Sequence, residues 1–409
     1  MLNAAQEREL AYIVIIDGIE PIEGYDRVEH AIVGGWRVIV QKGQFKVGDP
    51  AIYFEIDSRV PSDRECFAFL EKRHYKVKTL KMCKTISQGL LMHPSDFGWT
   101  IGYDEGDVPY VIDDENNIHF PTGETRFLTK KLGVTYADDE DNQRKSAPVD
   151  KYKKMASRHQ KLFKKPFIRW MMRYDWGRKL LFLLFGKKKD KKNGWPSWVS
   201  KTDEERVQNM PWILNSTEKW IATEKIDGTS TTFTMKRGKF GKKEFYVCSR
   251  NVCFDSVDKP CYYDTNVYWE MAKQYHIYEV LSDMLDAMPE EEWITIQGET
   301  YGNGVQKRDY SIEGHDFMVF NLIFSSRGRV GTKEMITHLR YSNIPCVPIV
   351  EENIDFTEKF ANVEDMLLWA EGKSQLDGLP REGIVFRTMD GQKSFKAVSN
   401  SFLLKYHGG

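Results

Sequence analysis

Midway along the chain the charge reverses, and this divides what can fold on either side. Residues 137–142 run Ala-Asp-Asp-Glu-Asp-Asn, an acidic loop. Between 144 and 192 there are 18 Lys plus Arg against 3 Asp, although all 409 residues together carry 59 basic and 60 acidic side chains. We read 136–196 as a linker with a basic amphipathic helical segment, between an N-terminal domain (1–135) and a C-terminal one (197–409). Phe163, Phe167, Trp170, Tyr174 and Trp176 interleave with the cations. Three uses remain open for the segment. It can track a phosphate backbone while stacking on bases. It can pack between domains with a solvated basic face. Or Leu180–Phe185, flanked by lysines, can lie at a membrane surface.

Other features narrow the class. No basic start followed by an apolar run marks a secretory signal, and no stretch reaches the roughly 18 apolar residues that span a bilayer. Cys66, Cys83, Cys248, Cys253, Cys261 and Cys346 include no CxxC pair, so free thiols in a reducing compartment are expected, not a zinc site. The scattered histidines contain no HExxH. A soluble, intracellular monomer is expected.

Residues 1 to about 130 read as β. Ala11–Ile16, Trp36–Val40 and Ile52–Ile56 are short β-branched or aromatic runs, cut by turns at Gly24, Gly43 and Gly48-Asp49-Pro50. Tyr75–Ile86 is a further strand region with Lys76, Lys78, Lys81 and Lys84 on it. Strands so short and close suggest a small barrel. An OB-fold that binds oligonucleotides and a plain barrel spacer with solvated lysines fit equally. From Ser197 onward strands and helices alternate, which predicts an α+β domain. Val267–Met288 has helical periodicity, while Trp293–Gln297, Phe317–Ile323 and Gly383–Arg387 look like buried strands.

The chemistry gathers in that second half. Lys225-Ile226-Asp227-Gly228 can place an amine beside a nucleotide α-phosphate, where attack forms a phosphoramidate. The amine must first lose its proton, through burial or nearby cations. Arg250, after the strand-like Phe245–Cys248, can grip a phosphate bidentately. Glu299 ends a strand with a carboxylate suited to ribose hydroxyls or a metal-bound water. In Phe317–Asn321 a phenylalanine can cover an adenine face. Glu382 starts a strand with a hard oxygen donor. Lys396, or Lys405 near the end, can neutralise an α-phosphate. Each has a bland alternative: a surface ion pair, a strand end, a core strand or a solvated lysine. Their order is harder to dismiss.

That ordered set resembles the covalent nucleotidyltransferase superfamily of DNA ligases, RNA ligases and mRNA capping enzymes, over roughly 197–405. The resemblance implies that Lys225 is the adenylated nucleophile, with Asp227 and Gly228 completing its motif and Glu224 helping to read adenine. Arg250 resembles the arginine of the next motif. Glu299 matches the ribose-contacting glutamate, Phe320 the adenine-stacking aromatic, Glu382 the metal-site carboxylate and Lys396 the lysine of the last motif. It implies ATP as cofactor, with Mg²⁺ or Mn²⁺ held by Asp227, Glu299 and Glu382.

A barrel that precedes the transferase, with only four residues after Lys405, is similar to an RNA ligase family having an N-terminal OB module. Ile32–Trp36 and Lys42–Asp49 resemble that module. Thr202–Gln208 resembles the start of its transferase domain, which implies that Arg206 and Gln208 sit near the nucleotide. The expected fold is an OB-like β-barrel followed by an α+β, DNA/RNA ligase-like nucleotidyltransferase domain unrelated to ATP-grasp. The expected activity is ATP-dependent joining of RNA 3′-OH and 5′-phosphate ends, on nicked duplex, in RNA repair. Three departures stand out. Ser230 lies where many ligases have arginine, Val398 where several RNA ligases have a second lysine, and 144–192 exceeds a plain linker. A nucleic-acid-binding protein with an inactive transferase, a DNA ligase and a guanylyltransferase are the alternatives.

Overall fold

Short apolar runs cut by tight turns make the N-terminal half a set of small antiparallel sheets. The computed structural model describes residues 1–4, 7–137 and 194–407, apart from 255, 258, 260 and 264; the readings of 144–192 lie outside them. Ala11–Ile15 pairs with Pro50–Phe54, Ala11 opposite Phe54, and Leu90–Met92 flanks the other side. A meander of Gly18–Ile22, Tyr25–Val33 and Trp36–Gln41 packs on this sheet through buried Trp36, Val38 and Tyr53. This is the OB-like half.

The strand region expected over Tyr75–Ile86 is divided into Lys76–Val77, Thr79–Met82 and Thr85–Gln88. Cys83 and Lys84 take φ of 49° and 61°, the left-handed pair that closes a two-residue hairpin. The turn is hidden in the sequence because neither residue is the Gly, Asn or Asp that usually marks one.

The C-terminal half holds two antiparallel sheets. One has four strands in the order Ile349–Ile354, Trp220–Lys225, Gly383–Thr388, Ser394–Val398. The other centres on Thr229–Arg237, flanked by Lys243–Ser249 and Trp293–Gly302, with His315–Phe324 beyond. The helical run expected over Val267–Met288 is two helices, Val267–Gln274 and Ile277–Ala287. They part at His276, whose φ is 49°. On a continuous helix Leu281 and Leu285 would fall on the same stripe as Val267 and Met271, with Ile277 at its edge, so the apolar period runs through the break and hides it. Both helices pack against Phe233 and Ile296 on the sheet.

The two halves are stitched along one seam. The Trp36 indole N–H donates to Asn209 Oδ1 at 2.6 Å, and Asn209 Nδ2 donates to buried Glu55 at 2.8 Å. Gly35 N donates to the Gln208 carbonyl at 2.7 Å. A Cβ on Gly35 would stand 2.6 Å from Gln208 Cα, so only glycine permits the approach. Val398 and Leu403, late in the chain, share a core with Tyr12, Trp36 and Tyr53.

Candidate active site

Lys225 is the last residue of one sheet's strand and Thr229 the first of the other's. Ile226-Asp227-Gly228 therefore carries the chain from sheet to sheet. Register then gathers the partners. Lys225 lies opposite Gly383, which brings Glu382 alongside, and Ser230 lies opposite Glu299. Lys225 Nζ donates to Glu382 Oε2 at 2.7 Å. The Asp227 amide donates to the Tyr310 hydroxyl at 2.7 Å. Gly228 is required sterically, since a Cβ there would meet the Thr300 carbonyl oxygen at 2.3 Å.

Around this link opens a cavity of about 600 Å³, a size suited to a nucleotide. Lys225, Asp227, Gly228, Glu299 and Glu382 line it. So do Glu224, Arg250, Phe320, Lys396 and Arg206. One Glu224 oxygen accepts from the Gln375 amide at 2.8 Å; the other is buried with no partner among the described residues, an acceptor suited to an amino group. Phe320 is half-buried, with the Arg387 guanidinium 5.9 Å from its ring centre. Two expected residues are not among those lining the cavity. Gln208 is buried at the seam behind Gly35. Lys405 is exposed, its amine 4.9 Å over the Tyr406 ring.

Charge is distributed in opposition. Burial alone would lower the pKa of Lys225, but Glu382, Glu299 and Asp227 hold it above its ordinary value. The amine is thus an ammonium in this geometry, opposite to what attack requires. Burial, reinforced by Glu382 and Asp227, pushes the Glu299 carboxyl up to about 8. Lys396 is pushed down to about 8, by burial first and then by Arg8, Arg206 and Lys225, against the pull of Asp203.

Asp227, Glu299 and Glu382 are hard oxygen donors of the kind that bind Mg²⁺ or Mn²⁺. No three His, Cys, Asp or Glu among the described residues form a ready cage. They fit a cation that shares its coordination with phosphate oxygens. A divalent cation would offset both the burial and the carboxylate crowding that raise Glu299.

Sequence reasoning missed the contribution of the N-terminal half. Arg8, Asp57, Lys76, Lys78 and Tyr136 line the same cavity. Lys76 and Lys78 carry a local signal, as lysines on a strand of a possible oligonucleotide-binding barrel, but none marks Arg8, Asp57 or Tyr136, whose role arises from the docking of the two halves. Asp203 was visible within Thr202–Gln208, yet its place is informative only in three dimensions.

Comparison with known proteins now bears on this geometry. Residues 218–407 match the RNA ligase family model, and residues 10–94 match an OB-fold domain model. The chain thus carries an OB-fold domain ahead of an RNA ligase domain. Among solved structures, Naegleria gruberi RNA ligase with pyrophosphate is 24% identical, with 98% of this chain and 99% of that one covered, at a TM-score of 0.69. A mutant of that ligase with ATP and manganese is 24% identical too, covering 98% and 100% at a TM-score of 0.69. Another mutant, with AMP and manganese, is also 24% identical and covers 98% and 99% at 0.68. At this identity the likeness is one of fold. No curated protein matches the chain by sequence. Among the described residues no helix is long and apolar enough to cross a membrane.

Proposed function

We propose that this protein is an ATP-dependent RNA ligase that works through a lysyl-AMP. One observation carries the reading. Lys225, Glu299, Phe320, Glu382 and Lys396, far apart in sequence, line a single cavity. The RNA ligase family match over 218–407 supports it, as does the likeness to a ligase seen with ATP and manganese.

In the first step Lys225 Nζ attacks the ATP α-phosphate, forming an N–P bond as the bond to pyrophosphate breaks. The amine must first give up a proton and its pairing with Glu382, which accepts from it at 2.7 Å. Phe320 covers the adenine, Glu224 offers its buried oxygen to the ring's amino group, and Glu299 faces the ribose. Lys396 and Arg250 offset the charge of the phosphates. Asp227, Glu299 and Glu382 would hold Mg²⁺ or Mn²⁺, which supplies charge neutralisation when bound. AMP then passes to a 5′-phosphate end, and a 3′-hydroxyl displaces it. Nicked RNA duplex and RNA repair are the proposed setting; Gln208 supports the fold of the site from the seam, and the protein acts as a monomer.

The test is incubation with α-labelled ATP and a divalent cation. A protein–AMP adduct that disappears in Lys225→Ala is expected, and its absence from the unaltered protein would remove the proposal. Preferential labelling by GTP would instead make the protein a guanylyltransferase.

A further inference from the structure

Three cations from three separate parts of the chain converge on one carboxylate inside the cavity. Asp203 Oδ1 accepts from Lys396 Nζ at 3.3 Å and lies 3.8 Å from Arg8 Nη1. Its Oδ2 accepts from Arg250 Nη2 at 3.0 Å. Arg8 comes from the N-terminal half, Arg250 from the end of a strand in the larger sheet, and Lys396 from the smaller sheet. The ring of Tyr136 lies under both guanidiniums, 5.3 Å from Arg8 and 4.8 Å from Arg250, and so holds the pair in place. Arg8 has a second partner in Glu55 at 3.2 Å. Glu55 is shared with the Met1 ammonium, which also reaches Glu205, so four positive charges face three negative ones and the cluster is under-neutralised. Burial opposes ionisation of Asp203, yet the three cations hold its pKa well below the usual carboxylate range. Lys396 titrates low, by burial first and then by the neighbouring Arg8, Arg206 and Lys225.

A carboxylate carries one charge on two oxygens; a phosphate dianion carries two on three. The cluster is better matched to the second. We propose that Asp203 is a built-in counter-ion that holds the Arg8–Arg250–Lys396 site closed, and that a phosphate group enters by displacing it. This rests on the ligase reading for the identity of the phosphate but not for its chemistry. It gives the N-terminal half, through Arg8, a direct hand in phosphate recognition. It also makes Asp203 a positioning residue that sets how strongly the site must be contested.

Inorganic pyrophosphate titrated calorimetrically into the full-length protein is the probe. Asp203→Asn keeps the shape and removes the charge; we expect it to bind pyrophosphate about tenfold more tightly or better, the gain a purely structural residue would not give. Equal or weaker binding by a variant that melts as the parent does overturns the proposal. If that variant fails to fold, Arg8→Gln decides: pyrophosphate binding should weaken several-fold, and unchanged affinity overturns the proposal. Parallel titrations of Asp203→Asn with 5′-phosphorylated and 5′-hydroxyl oligoribonucleotides identify the source of the phosphate. A gain for the 5′-phosphorylated strand over the 5′-hydroxyl one assigns the strand end, and a gain for pyrophosphate alone assigns the nucleotide. None of these measurements needs turnover, so a protein that forms no adduct with ATP would still give a readable answer.

Discussion

At the scale of single residues, the site is governed by carboxylates competing for one amine. Glu299 shows this in its titration. Its ordinary pKa of 4.5 rises to about 8 in the folded protein. The folded state therefore holds an extra proton between those values, so the stability Glu299 contributes is full below about 4.5 and is lost as the pH climbs through 8. Glu299→Gln should stabilise the protein in the absence of nucleotide, by on the order of 1–2 kcal/mol at pH 8 and by nothing at pH 4. Urea denaturation at the two pH values checks this, and an equal effect at both would contradict it. Lys225, whose pKa is also raised, titrates in the same sense. Its pairing with Glu382 is intact until the pH passes the amine's raised pKa, so adduct formation should accelerate with pH through the alkaline range. A flat profile would show that proton loss from Lys225 does not limit the step.

At the scale of elements, what could be read in advance was what neighbours in sequence decide. The strands Ser394–Val398 and Gly383–Thr388 follow from apolar runs bounded by turns, and the Lys225 motif is visible as four consecutive residues. The break at His276 was hidden because the apolar period runs through it, and the hairpin at Cys83-Lys84 because neither residue is a usual turn former. Val398 joins both kinds of evidence. It stands where a lysine was the expected alternative, and the structure buries it with Trp36 and Leu403. Val398 also lines the cavity, on the same strand face as Lys396, so a lysine here would crowd a second ammonium against Lys396 at the edge of that apolar core. Val398→Lys should therefore cost roughly 3 kcal/mol rather than improve catalysis. Chemical denaturation measures the first and α-labelled ATP the second.

At the scale of the whole molecule, the seam decides whether Arg8 and Tyr136 reach the cavity, and no sequence pattern announces a contact between residues nearly 200 positions apart. Asn209 is its keystone, joined to Trp36, Tyr12 and Glu55 at once. Asn209→Ala leaves the buried Trp36 N–H and the Glu55 carboxylate short of a partner, a loss of about 1–3 kcal/mol. Faster cleavage between the halves in limited proteolysis is expected; unchanged cleavage would show that the seam holds without it. Removal of about 150–192, outside the described residues, is expected to weaken binding to nicked RNA more than adduct formation, and equal loss of both would assign that segment to folding.

In the proposed lysyl-AMP mechanism, the three-residue bridge from Lys225 to Thr229 has a further meaning for the nucleotide carried on that amine. Both ends are clamped into β-structure, so the only slack is the side chain's own four methylenes. A cargo on so short a leash cannot be ferried outward, and each RNA terminus must be delivered to it.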